Sequence, residues 1–453
     1  MTVVTALRAG RRQPAIERAS SSDRAFLAMD VGHVPEQFGV ILMLESGSGL
    51  NLACTRELLA DRIAAVPRLR QRLTRAPFGC GGPIWIDDQA FDIRDHVRTV
   101  MCPEPDTEQQ LLNAALSVIM SPLPRSAPLW SAVLLTSPVG DALALVIVLH
   151  HALADGIGGL AVLTSLIDAP LQAADAYFPR PAPAASALAL DAFAAKLRAL
   201  GNSRKAWQLL RLSIGAGGGL RPPRANSCSL NQRTGSRRRL AVVHADHAAV
   251  SAAAHQHGAT TNDAILVAVA DGLRQILLGR GQPAGAIVVT VPVSGRLHAS
   301  RRDLGNMVSP LLVRVPTAGE AQERLRQVAT QVRAHKAAAI GPPPIALLGW
   351  LFRLLAALGG YRWYLDHQHR FHTLVSHVRG PAAPVTFAGA RITAAIPAGV
   401  GPGGNIPVHF EALSYAGSLA VSVITDPDHF PELNALTDAL RTELGRLVHQ
   451  PTG

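Results

Sequence analysis

The stretch Ala142-Leu143-Ala144-Leu145-Val146-Ile147-Val148-Leu149-His150-His151-Ala152-Leu153-Ala154-Asp155-Gly156-Ile157-Gly158-Gly159 decides how this chain is read. Eight consecutive apolar residues, rich in Leu and Val, suit a central strand buried on both faces. The strand runs into two histidines, a turn, and an Asp-Gly pair opening a new helix. Neighbouring strand residues point to opposite faces, so His150 and His151 cannot do the same job. One faces a cavity and the other lies buried behind it. Asp155 stands where a helix N-cap belongs, able to accept from amides of the following turn or to pair with an arginine. Gly156, Gly158 and Gly159 allow close backbone approach there.

Histidine suits removal of a hydroxyl proton, because its ordinary pKa near 6.5 leaves it mostly neutral at pH 7. Two histidines and an aspartate could also bind metal, but adjacent histidines point apart, which makes shared coordination awkward. A Ser-His-Asp triad would need a G-x-S-x-G elbow, and the sequence contains none. A packed structural histidine is the remaining alternative.

Around this stretch, hydrophobic residues make up 48% of 453 and charged residues 17%, enough for two or three cores. Upstream, Phe26, Leu27 and Met29 follow a helix cap at Ser22-Asp23, Val40–Leu44 reads as a strand, and Glu57–Leu73 has helical spacing. Trp130–Leu135 and Ala142–Leu149 flank a Pro/Gly/Asp turn, a hairpin signal. Downstream, Pro170, Pro179, Pro181 and Pro183 precede a basic amphipathic helix near Asp191–Ile214, then a Gly run and Pro222-Pro223. Helices are expected at His255–Leu278, Glu320–Ala339 and Pro431–Val448. Strands are expected at Ile287–Val293, Leu311–Val315, Phe371–Val375, Ile392–Ile396 and Leu419–Ile424.

The net charge of +11 is concentrated. Eleven basic residues and no acid lie between Lys196 and Arg239. Such a band attracts phosphate, on an anionic bilayer or on a nucleotide, unless it is simply a solvated linker. With Phe193, Leu197, Leu200, Trp207 and Leu210 among the basic residues, interfacial lipid contact is expected. Interleaved aromatics are too few for nucleic-acid binding. Cys54, Cys80, Cys102 and Cys228 have no metal-like spacing and read as reduced thiols. The most apolar run, Ile345–Leu358, has 14 residues and contains Arg353, short of the roughly 20 a bilayer span needs. A soluble or peripheral cytoplasmic protein is expected.

The string His150-His151-x-x-x-Asp155-Gly156 matches the HHxxxDG signature of coenzyme A-dependent acyltransferases with the chloramphenicol acetyltransferase-like fold. From about Asp23 to Thr425 the chain more specifically resembles the bacterial wax ester synthase/diacylglycerol acyltransferase family, actinobacterial type. The landmarks are Pro67–Leu73 with Pro83–Ile86, the block Pro122–Trp130, Leu230-Asn231 with Gly235 and Arg238, Thr261-Asn262-Asp263, Pro292–Ser294 with Leu304–Asn306, Ser376–Pro381, Tyr415–Gly417 and Thr425-Asp426. The resemblance implies an α/β (α+β) chain of two acyltransferase halves, each a mixed sheet with helices, facing across a tunnel. A flexible tail (1–20) precedes the first half (21–168), a basic linker (169–239) and the second half (240–453).

It implies His151 as general base, with His150 and Asp155 in support, an arginine such as Arg296 beside Asp155, and Asn262 and Asp263 shaping the tunnel. For the last two, a helix-capping role is at least as natural. It implies no cofactor and no metal, acyl-coenzyme A as co-substrate, and diacylglycerol or a fatty alcohol as acceptor, met at a membrane or lipid-droplet surface. Diacylglycerol acylation is the expected activity. Wax ester synthesis and a non-catalytic lipid-binding role are the alternatives. His377-Val378-Arg379 replaces the usual Asn and Pro of the closing block, and Pro124 stands where Asp is common, which bears on the acceptor side.

Overall fold

A computed structural model of the protein describes residues 16–30, 32–104, 107–154, 156–168, 178–201, 225–294, 308–338, 355–401 and 403–449. The first half begins with β1 (Glu17–Arg18), α1 (Ser21–Met29), β2 (Gln37–Leu44) and α2 (Leu52–Ile63). It continues through β3 (Gln71–Thr74), β4 (Ile84–Asp87), α3 (Ile93–His96), β5 (Val97–Met101) and α4 (Glu108–Met120). It closes with β6 (Trp130–Thr136), β7 (Ala142–His150), α5 (Gly156–Leu166) and α6 (Ala185–Gly201). The second half opens with β8 (Arg239–Asp246), α7 (His247–Gln256), α8 (Thr261–Gly279), β9 (Ala286–Ser294), β10 (Val308–Pro316) and α9 (Ala321–Ala338). There follow α10 (Gly360–Asp366), β11 (Thr373–Arg379), β12 (Thr386–Phe387), β13 (Ala390–Gly399), β14 (Val408–Tyr415), β15 (Ser418–Thr425) and α11 (Leu433–His449).

Two six-stranded mixed sheets organise the chain, ordered β12-β13-β2-β7-β6-β5 and β10-β9-β11-β14-β15-β8. β7 is central to the first. Leu145, Ile147 and Leu149 enter one core with Trp130, Leu59 and Val162, while Ala144, Val146 and Val148 enter another with Leu112, Leu116 and Ile119 of α4. Each fully buried large apolar side chain contributes roughly 1.5–3 kcal/mol, which makes this strand the most heavily anchored element of its half.

The second sheet is bound to the first at that α4-side core. Leu240 of β8 and Ala420 and Ile424 of β15 pack in it beside Ile396 and Ala398 of β13, and the Gln109 amide donates to the Leu240 carbonyl at 2.9 Å. The halves also exchange strands. β13 lies between second-half strands in the chain yet pairs with β2, Ile396 lying opposite Ile41, and β12 pairs with β13 at the sheet's edge. Asp168 receives the exchanged turn: its carboxylate accepts from the Thr386 hydroxyl at 2.7 Å and the Ala388 and Gly389 amides at 3.0 and 2.9 Å. The Tyr415 hydroxyl accepts from the Val385 amide at 2.9 Å and donates to the Ile392 carbonyl at 3.0 Å.

The mixed two-sheet architecture is the one expected, with local corrections. The helix expected at 57–73 ends at Ile63 and gives way to a 3-10 turn at Pro67–Arg70 and then β3. Pro67 has no amide to continue the ladder and disfavours helix before it. The single helix expected at 255–278 is two, broken where Gly258 turns at φ +65°. The α1 cap is Ser20 rather than Ser22, in a capping box with Asp23. The linker helix starts at Ala185, after the prolines, and residues 202–224 lie outside the described residues. β14 was not anticipated, because His409 and Glu411 interrupt its apolar pattern.

The described end of the basic segment is stitched to the second half. The Asn231 side-chain amide donates to Phe371, the Thr234 amide to Gly404, and the Gly235 amide to buried Asp426 at 2.8 Å. Arg233 pairs with Asp366, Arg237 with Asp428, and Arg238 donates to the Val400 carbonyl. Replacing Asp168 with Ala removes three bonds to the exchanged turn. A loss on the order of 2 kcal/mol is expected, seen as a lower urea midpoint, whereas an unchanged midpoint would show that the turn is held elsewhere.

Candidate active site

β7 delivers the two histidines as the strand period requires. His150 ends the strand opposite Gln37 of β2, 2% exposed. Its Nδ1 accepts from the Ala152 amide at 2.9 Å, so Nε2 carries the proton and donates to Asp30 Oδ2 at 3.1 Å. Asp30, just past α1, also receives the Arg125 guanidinium at 2.5 Å and the Glu36 amide at 3.1 Å. Burial opposes ionisation of Asp30, but the bonds from His150, Arg125 and Glu36 outweigh it and hold the carboxyl well below the usual range. Arg125 belongs to the Pro122–Trp130 block. Trp130, at the end of that block, donates its indole N–H to the Leu69 carbonyl at 2.7 Å and stacks on His96 at 4.6 Å.

His151 turns the other way. Its amide donates to the Glu36 carbonyl at 2.9 Å, and its half-buried ring is flanked by Phe26 at 5.1 Å and Phe38 at 4.7 Å. Burial, with a smaller contribution from His150, pushes the His151 pKa down to about 3. The imidazole is therefore neutral at any physiological pH, with two aromatic rings packed beside it.

The glycines do what the sequence suggested. A Cβ at Gly159 would stand 2.8 Å from the Phe38 ring, and one at Gly156 3.4 Å from Val378 of β11. Gly156 thus brings the histidine loop against the second half. Where the halves face each other, a solvent-open cleft is lined by Met29, His33 and Glu36 on one side and Arg233, Tyr361 and Leu365 on the other. His151 is not part of that lining, but Glu36, which holds its amide, is.

Asp155 and Arg296 lie outside the described residues, as do Leu304–Asn306. α5 begins at Gly156, so position 155 directly precedes it. Asp263 is 2% exposed at the start of α8, where its Oδ2 accepts from the Thr260 amide and hydroxyl, both at 2.8 Å. Thr260 is the N-cap and Asp263 its capping-box partner. The described hydrogen bonds of Asp263 are thus to its own helix start, and Asn262 is half-buried beside it. Sequence reasoning missed Asp30, Glu36, Phe26 and Phe38. An acid 120 residues from its histidine leaves no spacing signal.

A histidine pair at the end of a buried central strand, in a chain of two mixed sheets, is the arrangement that the HHxxxDG resemblance implies for an acyltransferase. Residues 19–265 match the wax ester synthase/diacylglycerol acyltransferase catalytic domain, and residues 304–447 match the C-terminal domain of the same family. The chain belongs to this family. A Mycobacterium tuberculosis protein named as a diacylglycerol O-acyltransferase is 28% identical, the match spanning 97% of this chain and 92% of that one. A second from that organism, also so named, is 27% identical over 94% of each. Among solved structures, the wax ester synthase/diacylglycerol acyltransferase of Marinobacter aquaeolei VT8 superposes with a TM-score of 0.65 at 21% identity, covering 95% of this chain and 98% of that one. The first condensation domain of the calcium-dependent antibiotic synthetase gives 0.65 at 17% identity, over 97% and 98%. These likenesses establish a shared fold.

Asp30→Asn keeps the shape but weakens the acceptor for His150 Nε2–H. It should lower turnover on the order of tenfold or more, with the acyl-coenzyme A KM little changed. Steady-state kinetics showing a KM effect alone would count against an orienting role.

Proposed function

We propose that the protein transfers a long-chain acyl group from acyl-coenzyme A to the free hydroxyl of diacylglycerol, forming triacylglycerol, with His151 as general base. The imidazole takes the hydroxyl proton as the oxygen bonds to the thioester carbonyl carbon. The C–S bond then breaks, and the imidazolium returns the proton to the coenzyme A thiolate. No covalent enzyme intermediate forms. The reading is supported most by one observation: a neutral imidazole packed against two aromatic rings just past the end of β7, its amide bonded to Glu36, which lines the cleft between the halves. His150 and Asp30 keep the strand end in place behind it, and Asp155 is assigned a supporting role from its place in the motif. The mycobacterial relatives' names favour diacylglycerol over a fatty alcohol.

The test supplies labelled oleoyl-coenzyme A with diolein or hexadecanol and identifies the product. His151→Ala should lower turnover at least about 100-fold while the circular dichroism spectrum stays that of the wild type. Unchanged turnover removes the mechanism, and wax ester as sole product removes the acceptor assignment. Since the base stays neutral down to about pH 3, kcat/KM should be level from pH 7.5 to 5. A fall centred at the ordinary histidine value of about 6.5 would contradict this.

The second part of the proposal is peripheral binding to an anionic lipid surface through α6. No described helix is long and apolar enough to cross a membrane. Leu188 and Ala192 of α6 are buried, Leu188 packing on Cys80 and Ile84, while Leu190, Phe193 and Leu197 are 71%, 62% and 53% exposed on its outer side. Lys196 and Arg198 flank them, and Asp191, the helix's one acid, is paired with Arg18 at 2.5 Å. Apolar stripe and cationic border together fit an anionic bilayer. Phosphatidylglycerol vesicles should bind the protein more tightly than phosphatidylcholine vesicles, and Phe193→Ser should weaken that binding about tenfold. Equal binding to both vesicle types would remove this role.

A further inference from the structure

We propose that Glu36 is an acceptor-reading residue, whose neutral carboxyl group donates a hydrogen bond to an ester oxygen beside the attacking hydroxyl and so favours glycerolipid acceptors over simple fatty alcohols. The inference rests on the acceptor assignment above and adds to it the group that makes the choice.

Position carries the argument. The register that pairs Gln37 with His150 continues by one bond, from the His151 amide to the Glu36 carbonyl at 2.9 Å. Residues opposite one another in an antiparallel pair send their side chains to the same face. Glu36 and His151 are therefore backbone neighbours just beyond the paired ends of β2 and β7, and the Phe38 ring touches that of His151. Glu36 also lines the cleft between the halves, where Tyr361 of α10 lies opposite. An acceptor whose hydroxyl reaches His151 would place its adjoining atoms at Glu36.

Charge decides which form of the carboxyl is present. Asp30 is held ionised beside Glu36 by His150 and Arg125. Burial first, and then the Asp30 charge, push the Glu36 carboxyl up to about 8. Glu36 is thus a donor at neutral pH and an acceptor only above about pH 8. Tyr361 is pushed up by its own burial and by Glu36, so it stays a neutral phenol throughout. The groups around Glu36 are Asp30 and His33 from its own segment, His150 at the end of β7 and His151 just past it, Arg233 from the basic segment, and Tyr361, Arg362 and Asp366 from α10. Asp30 is bonded to His150 and Arg125, and Arg233 is paired with Asp366. A simple alcohol offers Glu36 no oxygen to bond, whereas diacylglycerol offers the neighbouring ester.

The experiment uses the full chain, labelled oleoyl-coenzyme A, and diolein and hexadecanol as separate acceptors, with wild type, Glu36→Gln and Glu36→Leu. Glu36→Gln keeps a donor and should hold diolein kcat/KM within about threefold. Glu36→Leu should lower it about tenfold, mostly through KM, while changing hexadecanol turnover less than about threefold. The wild-type preference for diolein should decline between pH 7 and 9, and Glu36→Gln should flatten that decline. Hexadecanol turnover reports folding in each variant. Equal loss of both acceptors in Glu36→Leu, or no loss of diolein, overturns the role of Glu36 alone. A wild type that makes only wax ester overturns the acceptor assignment and this inference with it.

Discussion

A strand buried on both faces cannot end in two polar side chains unless each is given its own partner, and that constraint organises this molecule. His150 points into packed protein, where an unbonded ring nitrogen would cost roughly 1–3 kcal/mol. The cost is avoided because Nδ1 accepts from the Ala152 amide and Nε2–H reaches Asp30. With His150 bonded in this way, His151 turns to the other side, against Phe26 and Phe38 with its amide on the Glu36 carbonyl. Two aromatic rings take the place of water around it, which keeps the ring neutral.

Asp30 connects more than the histidine. It receives the Glu36 amide and the Arg125 guanidinium, so α1, the start of β2, the Pro122–Trp130 block and the end of β7 meet at one carboxylate. Burial raises the Glu36 carboxyl, and the Asp30 charge beside it adds to that rise.

The halves do not rest side by side as independent bodies. β13 completes the first sheet, and β8 and β15 pack into the core beneath α4. Asp168 and Tyr415 fasten the exchanged segment from either side. The core beneath α4 is therefore built from strands of both halves. Solved structures at 21% and 17% identity share the fold.

Local order was legible in the residues themselves. The apolar run of β7, the helical spacing of α4 and the glycines behind the histidines each follow from periodicity or from the space a side chain needs. So did the two-half architecture, through landmarks that recur in order. The strand β14 was hidden because His409 and Glu411 alternate with its core residues, Glu411 lying against Gly399 of the other sheet. Asp263 read equally as a tunnel or a capping residue, and its described bonds are those of a cap.

By itself the sequence determined that two histidines leave a buried strand on opposite faces and that a helix begins just beyond them, because backbone geometry makes those consequences local. Only the tertiary structure decided which acid reaches His150, which rings enclose His151, and that Glu36 stands across from it. Those pairings join residues about 110 to 125 positions apart, and no spacing rule governs a contact made by sheet register and packing rather than by the chain's own turn.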